Sequence, residues 1–214
     1  MELFEDALLY VKGEKFSPCF SSRIKQEGKL YDRMEFVENI VRGKSVIHIG
    51  CLGDLNSLKK KIKEGLWFHG CLSQITSACL GIDNNRKGVE FARSSLGISN
   101  ICYGDIENET RIEEITANKY WDYAVFGEVI EYVDNPIKYS LRNIEMVNSD
   151  HRYWFSPYTI WKVAHRAGLA VERIQMCRFS TPDGLRGRIR DFILSIFPVM
   201  AEDIVVICRK KQVR

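Results

Sequence analysis

Four short apolar runs, each stopping on a glycine or a carboxylate, constrain this chain more than any other feature. Residues 45–49 are largely β-branched and end at Gly50. Residues 78–82 lead to Asp83, residues 100–103 to Gly104-Asp105, and residues 121–126 to Gly127-Glu128. Apolar runs this short, bounded by turn residues, read as strands buried on both faces. Helical periods separate them. Leu30, Met34, Val37 and Val41 recur at helical spacing until Gly43, and residues 86–96 continue to Gly97. Strands alternating with helices predict an α/β fold with a mostly parallel sheet covered on both faces.

The rest of the chain fits this alternation. Residues 1–29 lack a clean period and read as an N-terminal extension that packs over something. Residues 54–77 form a long connection whose lysines, Lys59 to Lys61 and Lys63, read as a solvated helix face. Asp134-Asn135-Pro136 and Ser156-Pro157 each place a capping side chain beside a first-turn proline, so each predicts a helix start. Ile160, Val163, Ala164 and Ala167 give the second helix an apolar face, and Gly168 ends it. Residues 170–177 and 203–209 read as late strands, with a helical stretch at 187–197 between them. His69 and His165 read as helix residues without partners.

Composition excludes several classes. The chain has 214 residues, 31 Lys and Arg against 28 Asp and Glu, and a net charge of +3, too small to point by itself to nucleic acid or an acidic membrane. Its 7 cysteines include no C-x-x-C pair, so no zinc or other metal site is expected. Their odd number and scatter suit a reducing, cytoplasmic setting. No stretch is apolar enough to be a signal peptide or a membrane span, the longest late run being residues 192–200.

The chemistry gathers at the strand tips. A strand, a glycine turn and a helix present a nucleotide site at the carboxyl edge of an α/β sheet. Here the turn is Gly50-Cys51-Leu52-Gly53. A carboxylate at Asp83 can accept both hydroxyls of a ribose, and one at Asp105 can accept from an adenine amino group. Gly127-Glu128 end the fourth run, beside the expected reacting centre.

At these residues the chain resembles the class I S-adenosylmethionine-dependent methyltransferases. Ile47-His48-Ile49-Gly50-Cys51 looks like their first motif, Gly81-Ile82-Asp83 like their second-strand acid, and Gly104-Asp105 like their adenine-side acid. The run from Phe126-Gly127-Glu128 to Asp134-Asn135-Pro136 looks like their fourth-strand motif and the helix start after it. The resemblance covers residues 30–209. It implies a Rossmann-like fold over residues 30–214, with a seven-stranded sheet in the order 3-2-1-4-5-7-6 and the last strand antiparallel. It also implies S-adenosyl-L-methionine as cofactor, held by His48, Gly50, Cys51, Gly53, Asp83, Asn84, Asp105, Ile106, Gly127 and Glu128. The sequence departs from the family pattern at His48, where an acid is common, at Leu52 and Asp54, where glycines are common, and at Tyr132, where histidine is frequent. Between the Pro136 helix and Ser156-Pro157 there is little room for strand five. Either residues 152–155 supply a shortened strand, or a stretch of the family pattern is missing.

The expected reaction is methyl transfer to a small-molecule or sugar-like (glycan) hydroxyl. His151 is the first candidate for general base, with Asp150 to orient it, because histidine titrates near neutrality and follows the fifth-strand position. Glu128 is the second. Arg178, Arg186, Arg188 and Arg190 cluster with Lys210, Lys211 and Arg214, a set that reads mainly as a solvated helix face and tail, so RNA is a less favoured partner than a small molecule. A non-catalytic binding module and an RNA methyltransferase stay open as alternatives. An NAD-dependent oxidoreductase fits less well: G-x-G-x-x-G is absent, and Asp83 lies 33 residues beyond Gly50 instead of roughly 20 beyond the glycine turn.

Overall fold

The computed structural model describes residues 2–3, 5–17, 24–25, 31–53, 55–106, 109–116, 119–127, 155–178, 184–196, 201 and 203–210. In chain order the elements are β1 (Glu2–Leu3), α1 (Glu5–Lys12), β2 (Ile24–Lys25), β3 (Tyr31–Asp32), α2 (Arg33–Val41), β4 (Ser45–Ile49), α3 (Leu55–Lys63), α4 (Phe68–Ile75) and β5 (Ala78–Asp83). They continue with α5 (Arg86–Leu96), β6 (Ile101–Tyr103), α6 (Glu109–Thr116), β7 (Tyr123–Phe126), α7 (Pro157–Arg166), β8 (Leu169–Arg178), α8 (Gly184–Ile196) and β9 (Asp203–Lys210). They form two compact units, one of residues 37–133 and one of residues 1–36 with 134–214.

The unit of residues 37–133 is built on four parallel strands in the order β6-β5-β4-β7. All four apolar runs of the sequence are therefore strands, and the first of them lies inside the sheet between the second and the fourth. Val46, Cys79 and Tyr123 stand side by side in register, and so do His48, Gly81 and Val125 two residues on. Side chains two apart on a strand share a face, so these six positions share one. Val41, Val46 and Leu72 are buried together there, packed by Ile40 of α2 and Phe68 and Ile75 of α4. On the other face Ile82 is fully buried. A Cβ on Gly104 would come within 2.9 Å of Ile82 and 2.7 Å of Ile115 from α6, so α6 closes over that side. Both faces are covered, which is why the runs carry no polar alternation.

The local signals act as their chemistry requires. Asn85 caps α5, its side chain accepting from Gly88 N at 2.9 Å, and Gly97 ends that helix in the left-handed conformation at φ 68°. Asp32 Oδ1 accepts from Met34 N at 2.9 Å and Glu35 N at 3.2 Å, which starts α2. The expected helix from residue 30 thus begins three residues later. Tyr31 and Asp32 pair in parallel with Cys177 and Arg178 of β8, and that ladder overrides the local period. The long connection at 54–77 holds two helices, and Lys59, Lys60, Lys61 and Lys63 lie exposed on α3 as expected.

In the other unit β8 pairs with β9 antiparallel, from Leu169 opposite Lys210 to Cys177 opposite Asp203, with a bulge at Glu172. The three-stranded order is β3-β8-β9. The late antiparallel pair is as the sequence predicts. The strand expected on the free side of β9, and the Pro136 helix, fall outside the described residues. The N-terminal segment contains α1, whose Ala7 and Val11 are buried against Tyr158 and Trp161 of α7. Ile174, Gln175, Met176 and Cys177 are all buried on β8, and α7 packs along that strand.

Helix α7 opens on a capping box. Ser156 Oγ accepts from Thr159 N at 3.1 Å, Thr159 Oγ1 accepts from Ser156 N at 2.7 Å, and Pro157 fills the first turn. Removing the hydroxyl in Ser156→Ala is expected to cost about 1 kcal/mol of stability, read as a lower urea midpoint at unchanged slope. An unchanged midpoint would show that the box contributes nothing.

Candidate functional site

The residue types gathered at the strand tips fold into one tight array in the unit of residues 37–133. Five residues, 50–54, separate the end of β4 from the start of α3. Gly50 and Gly53 take φ of 72° and 61°, a region that favours glycine. Gly50 N donates to Ile82 O at 2.8 Å, which extends the β4–β5 ladder by one bond. Trp67 Nε1 donates to Cys51 O at 2.8 Å, and Leu52 N donates to Asp83 Oδ2 at 3.0 Å. Among the described residues, none lies within 4 Å of a Cβ added to Gly53, so the turn is open there.

Asp83 joins the two turns that flank this opening. Its second oxygen, Oδ1, accepts from Asn85 N at 3.0 Å. Asp83 is buried, at 9% exposure, and among the described residues each of its oxygens accepts one hydrogen bond of about two that it can take. Asn84 and Asp105 are exposed and Ile106 is half-buried. Arg86, in the first turn of α5, lies 4.5 Å over the Tyr103 ring at the end of β6. Glu128 and His151, the two candidates for acid–base work, lie outside the described residues, as do Asp150 and Asp54. Among the described residues no group of three or more His, Cys, Asp or Glu side chains is placed to hold a metal ion.

Behind the turn stands a cluster that the sequence does not announce. His48, on β4, and His69, on α4, are both buried, with stacked rings 5.5 Å apart. Phe68 meets His48 edge-on at 5.2 Å, and Trp67 lies 5.1 Å from His69. His69 Nδ1 approaches Cys79 Sγ at 3.7 Å. The expectation that His69 is a helix residue without partners is therefore wrong: α4 turns it into the core, against the sheet. His48 Nδ1 and His69 Nε2 are buried without a hydrogen-bond partner among the described residues. Burial, helped by the neighbouring ring of His69, drives His48 down to about 3, and burial drives His69 down to about 4. Burial also pushes the Cys51 thiol far up, which makes it an inert apolar group.

Two glycines show how close this cluster lies to the strands. A Cβ on Gly81 would approach Cys51 Sγ to 2.7 Å, Ile101 Cγ2 to 2.8 Å and His69 Cε1 to 2.9 Å. A Cβ on Gly127 would lie 3.3 Å from His48 Nε2. His48, Gly50, Cys51, Gly53, Asp83, Asn84, Asp105, Ile106 and Gly127 all lie at or beside the carboxyl ends of the four strands.

Comparison with protein-family models gives no match for this chain, and comparison with curated proteins gives none either.

The histidine pair makes stability depend on pH. Both rings are neutral in the folded protein, whereas in the unfolded chain they take up protons below about 6.5. Their contribution is complete above that value. It declines as pH falls from 6.5 toward 4 and 3, by up to about 1.4 kcal/mol per pH unit for each ring. Urea unfolding at about pH 7.5 and about pH 5 should show this loss. His48→Phe, which keeps a ring against Phe68, should make it markedly shallower, and an equal loss in the variant would remove His48 as its source.

Proposed function

We propose that this chain is a class I S-adenosylmethionine-dependent methyltransferase acting on the hydroxyl of a small-molecule or sugar-like acceptor. The observation that carries this reading is the clamp at the carboxyl edge. Asp83 is tied to the turn after β4 and to the turn before α5, and keeps acceptor capacity next to an open glycine turn. That arrangement fits a ribose, whose paired hydroxyls need one carboxylate fixed at a strand tip. The seven-stranded order 3-2-1-4-5-7-6 belongs to the same proposal. The parallel order β6-β5-β4-β7 and the antiparallel pairing of β8 with β9 are its supports.

In this reading the backbone at Gly50 and Gly53 approaches the cofactor closely because neither residue carries a Cβ. Asp83 accepts from the ribose hydroxyls and Asp105 from the adenine amino group. Gly127 and Glu128 border the reacting centre. When bound, the cofactor supplies a methyl group already activated by a sulfonium. The protein's work is then alignment of the acceptor, with His151 or Glu128 taking the hydroxyl proton.

A second reading, a binding module without catalysis, draws on His48. The position where this family commonly has an acid holds a buried ring that stays neutral down to about pH 3.

Calorimetric titration with S-adenosylmethionine, and separately with NAD, tests the cofactor assignment. Binding of the first and not the second is expected. Asp83→Asn keeps the shape but accepts from only one of the Leu52 and Asn85 N–H groups, so circular dichroism is used to check that the variant folds, and cofactor affinity should drop by about 1.5–3 kcal/mol. Unchanged affinity in a folded variant would sink the ribose assignment. Given an acceptor that is turned over, His151→Ala should slow turnover by ~10²–10⁴-fold with nearly unchanged cofactor affinity. Cofactor binding without turnover of any acceptor in a hydroxyl-compound screen favours the binding module.

A further inference from the structure

The net charge of +3 is unevenly placed along the chain. Residues 55–97 hold seven basic side chains against three acidic ones, while the remaining residues carry one acid more than they carry bases. One of the three acids, Asp83, is buried in the turn. The basic excess lies on two neighbouring helices. Leu55, Leu58 and Ile62 of α3 pack in one cluster with Val89, Ala92 and Leu96 of α5. A Cβ on Gly88 would approach Leu55 to 3.1 Å, and Lys59 lies against Phe91, so the two helices run side by side in the same direction.

Three lysines form a track along this pair. Lys59 Nζ lies 5.1 Å over the Phe91 ring, which sets Lys59 on the side of α3 that meets α5. Lys63 follows one turn later on the same side, a rise of about 6 Å. Lys87 stands one turn before Phe91 on α5. All three are exposed, and among the described residues none of them is in an ion pair. Lys60 is exposed beside them, with one long contact of 3.9 Å to Glu64. Glu90 is the one acid on the two helices, and the helical period sets it beside Arg86 and Arg93. The late basic cluster of the sequence offers no such track. Arg178 Nη1 donates to Asp191 Oδ2 of α8 at 2.6 Å, which corrects the reading of Arg178 as part of an open basic face.

The arrangement selects its partner. The cations are strung over two turns and do not converge on one point, so they fit a polymer with repeated negative charge better than a single small anion. Neither α3 nor α5 exposes a large apolar side chain. A membrane surface needs such side chains to enter the acyl boundary, and a specific protein interface needs them for its buried centre. A phosphate backbone needs neither, and lysine meets phosphate as a point charge. We infer that the α3–α5 face binds the phosphodiester backbone of a nucleic acid, without reading its bases. The inference is independent of methyl transfer and of the cofactor.

Fluorescence anisotropy of the full chain with a labelled RNA of mixed sequence, single-stranded and as a duplex, tests this. Binding should weaken as salt rises, with a slope of log affinity on log salt of roughly −2 to −3 for three phosphate contacts. The triple variant Lys59→Gln, Lys63→Gln and Lys87→Gln should lose about tenfold or more in affinity at low salt, with circular dichroism as in the parent. Lys63→Gln alone should make the slope shallower by about 0.7–1, and it keeps the test decisive if the triple variant does not fold. Lys12→Gln, exposed on α1 in the other unit, should change nothing. Failure to bind both forms of RNA, or an equal loss in Lys12→Gln, overturns the inference. So does binding to phosphatidylserine vesicles that the triple variant abolishes, which would assign the face to a membrane. Displacement of the RNA by polyglutamate at equal charge overturns it too, in favour of an acidic polypeptide.

Discussion

The carboxylate of Asp83 accepts main-chain N–H groups from Leu52 and Asn85, two turns that are distant in sequence and adjacent in space. The candidate site depends on this pair of bonds. A buried carboxylate needs hydrogen-bond donors, and a tight turn leaves N–H groups that need acceptors. Each requirement meets the other at the tip of β5. Trp67 adds a third tie, to the carbonyl of Cys51. The turn between β4 and α3 is thus fixed from two sides before any ligand arrives, which limits the ordering cost of binding.

Behind that turn the sheet is closed by rings that carry polar nitrogens. His48 and His69 stack in the core with two of their nitrogens unpaired among the described residues. Holding them neutral is cheaper than burying their charge. With histidine at position 48, the buried face of β4 carries no charge at neutral pH. A carboxylate there would stand against Phe68 and His69. His48 is one of the positions, with Leu52, Asp54 and Tyr132, at which the sequence departs from the methyltransferase pattern that it resembles, and its ring is buried.

Much of the fold could be read locally. The four apolar runs became four parallel strands, residues 86–96 became α5 with the expected Gly97 stop, and Ser156-Pro157 opened α7. In each case the signal is a period or a cap held within about a dozen residues. The residue types at the strand tips were legible for a related reason. A glycine that must take positive φ, or an acid that ends an apolar run, is conspicuous in one dimension. Three features were not legible: the strand at Tyr31 and Asp32, the inward turn of His69, and the tie of Arg178 to Asp191. Each depends on a partner far along the chain or on which side of a helix meets a strand.

The sequence by itself determined the alternation of strands with helices, the glycine turn after β4, and the placing of Asp83 and Asp105 after apolar runs. These follow from side-chain size, backbone freedom and hydrophobic period, which act over short stretches. Only the tertiary structure decided that Asp83 binds the Leu52 amide, that two histidines share one buried pocket, and that α3 and α5 pack side by side so that their lysines share one face. Those outcomes come from hydrogen bonds and packing between segments that the chain brings together only on folding, and no local pattern encodes which partner each group will find.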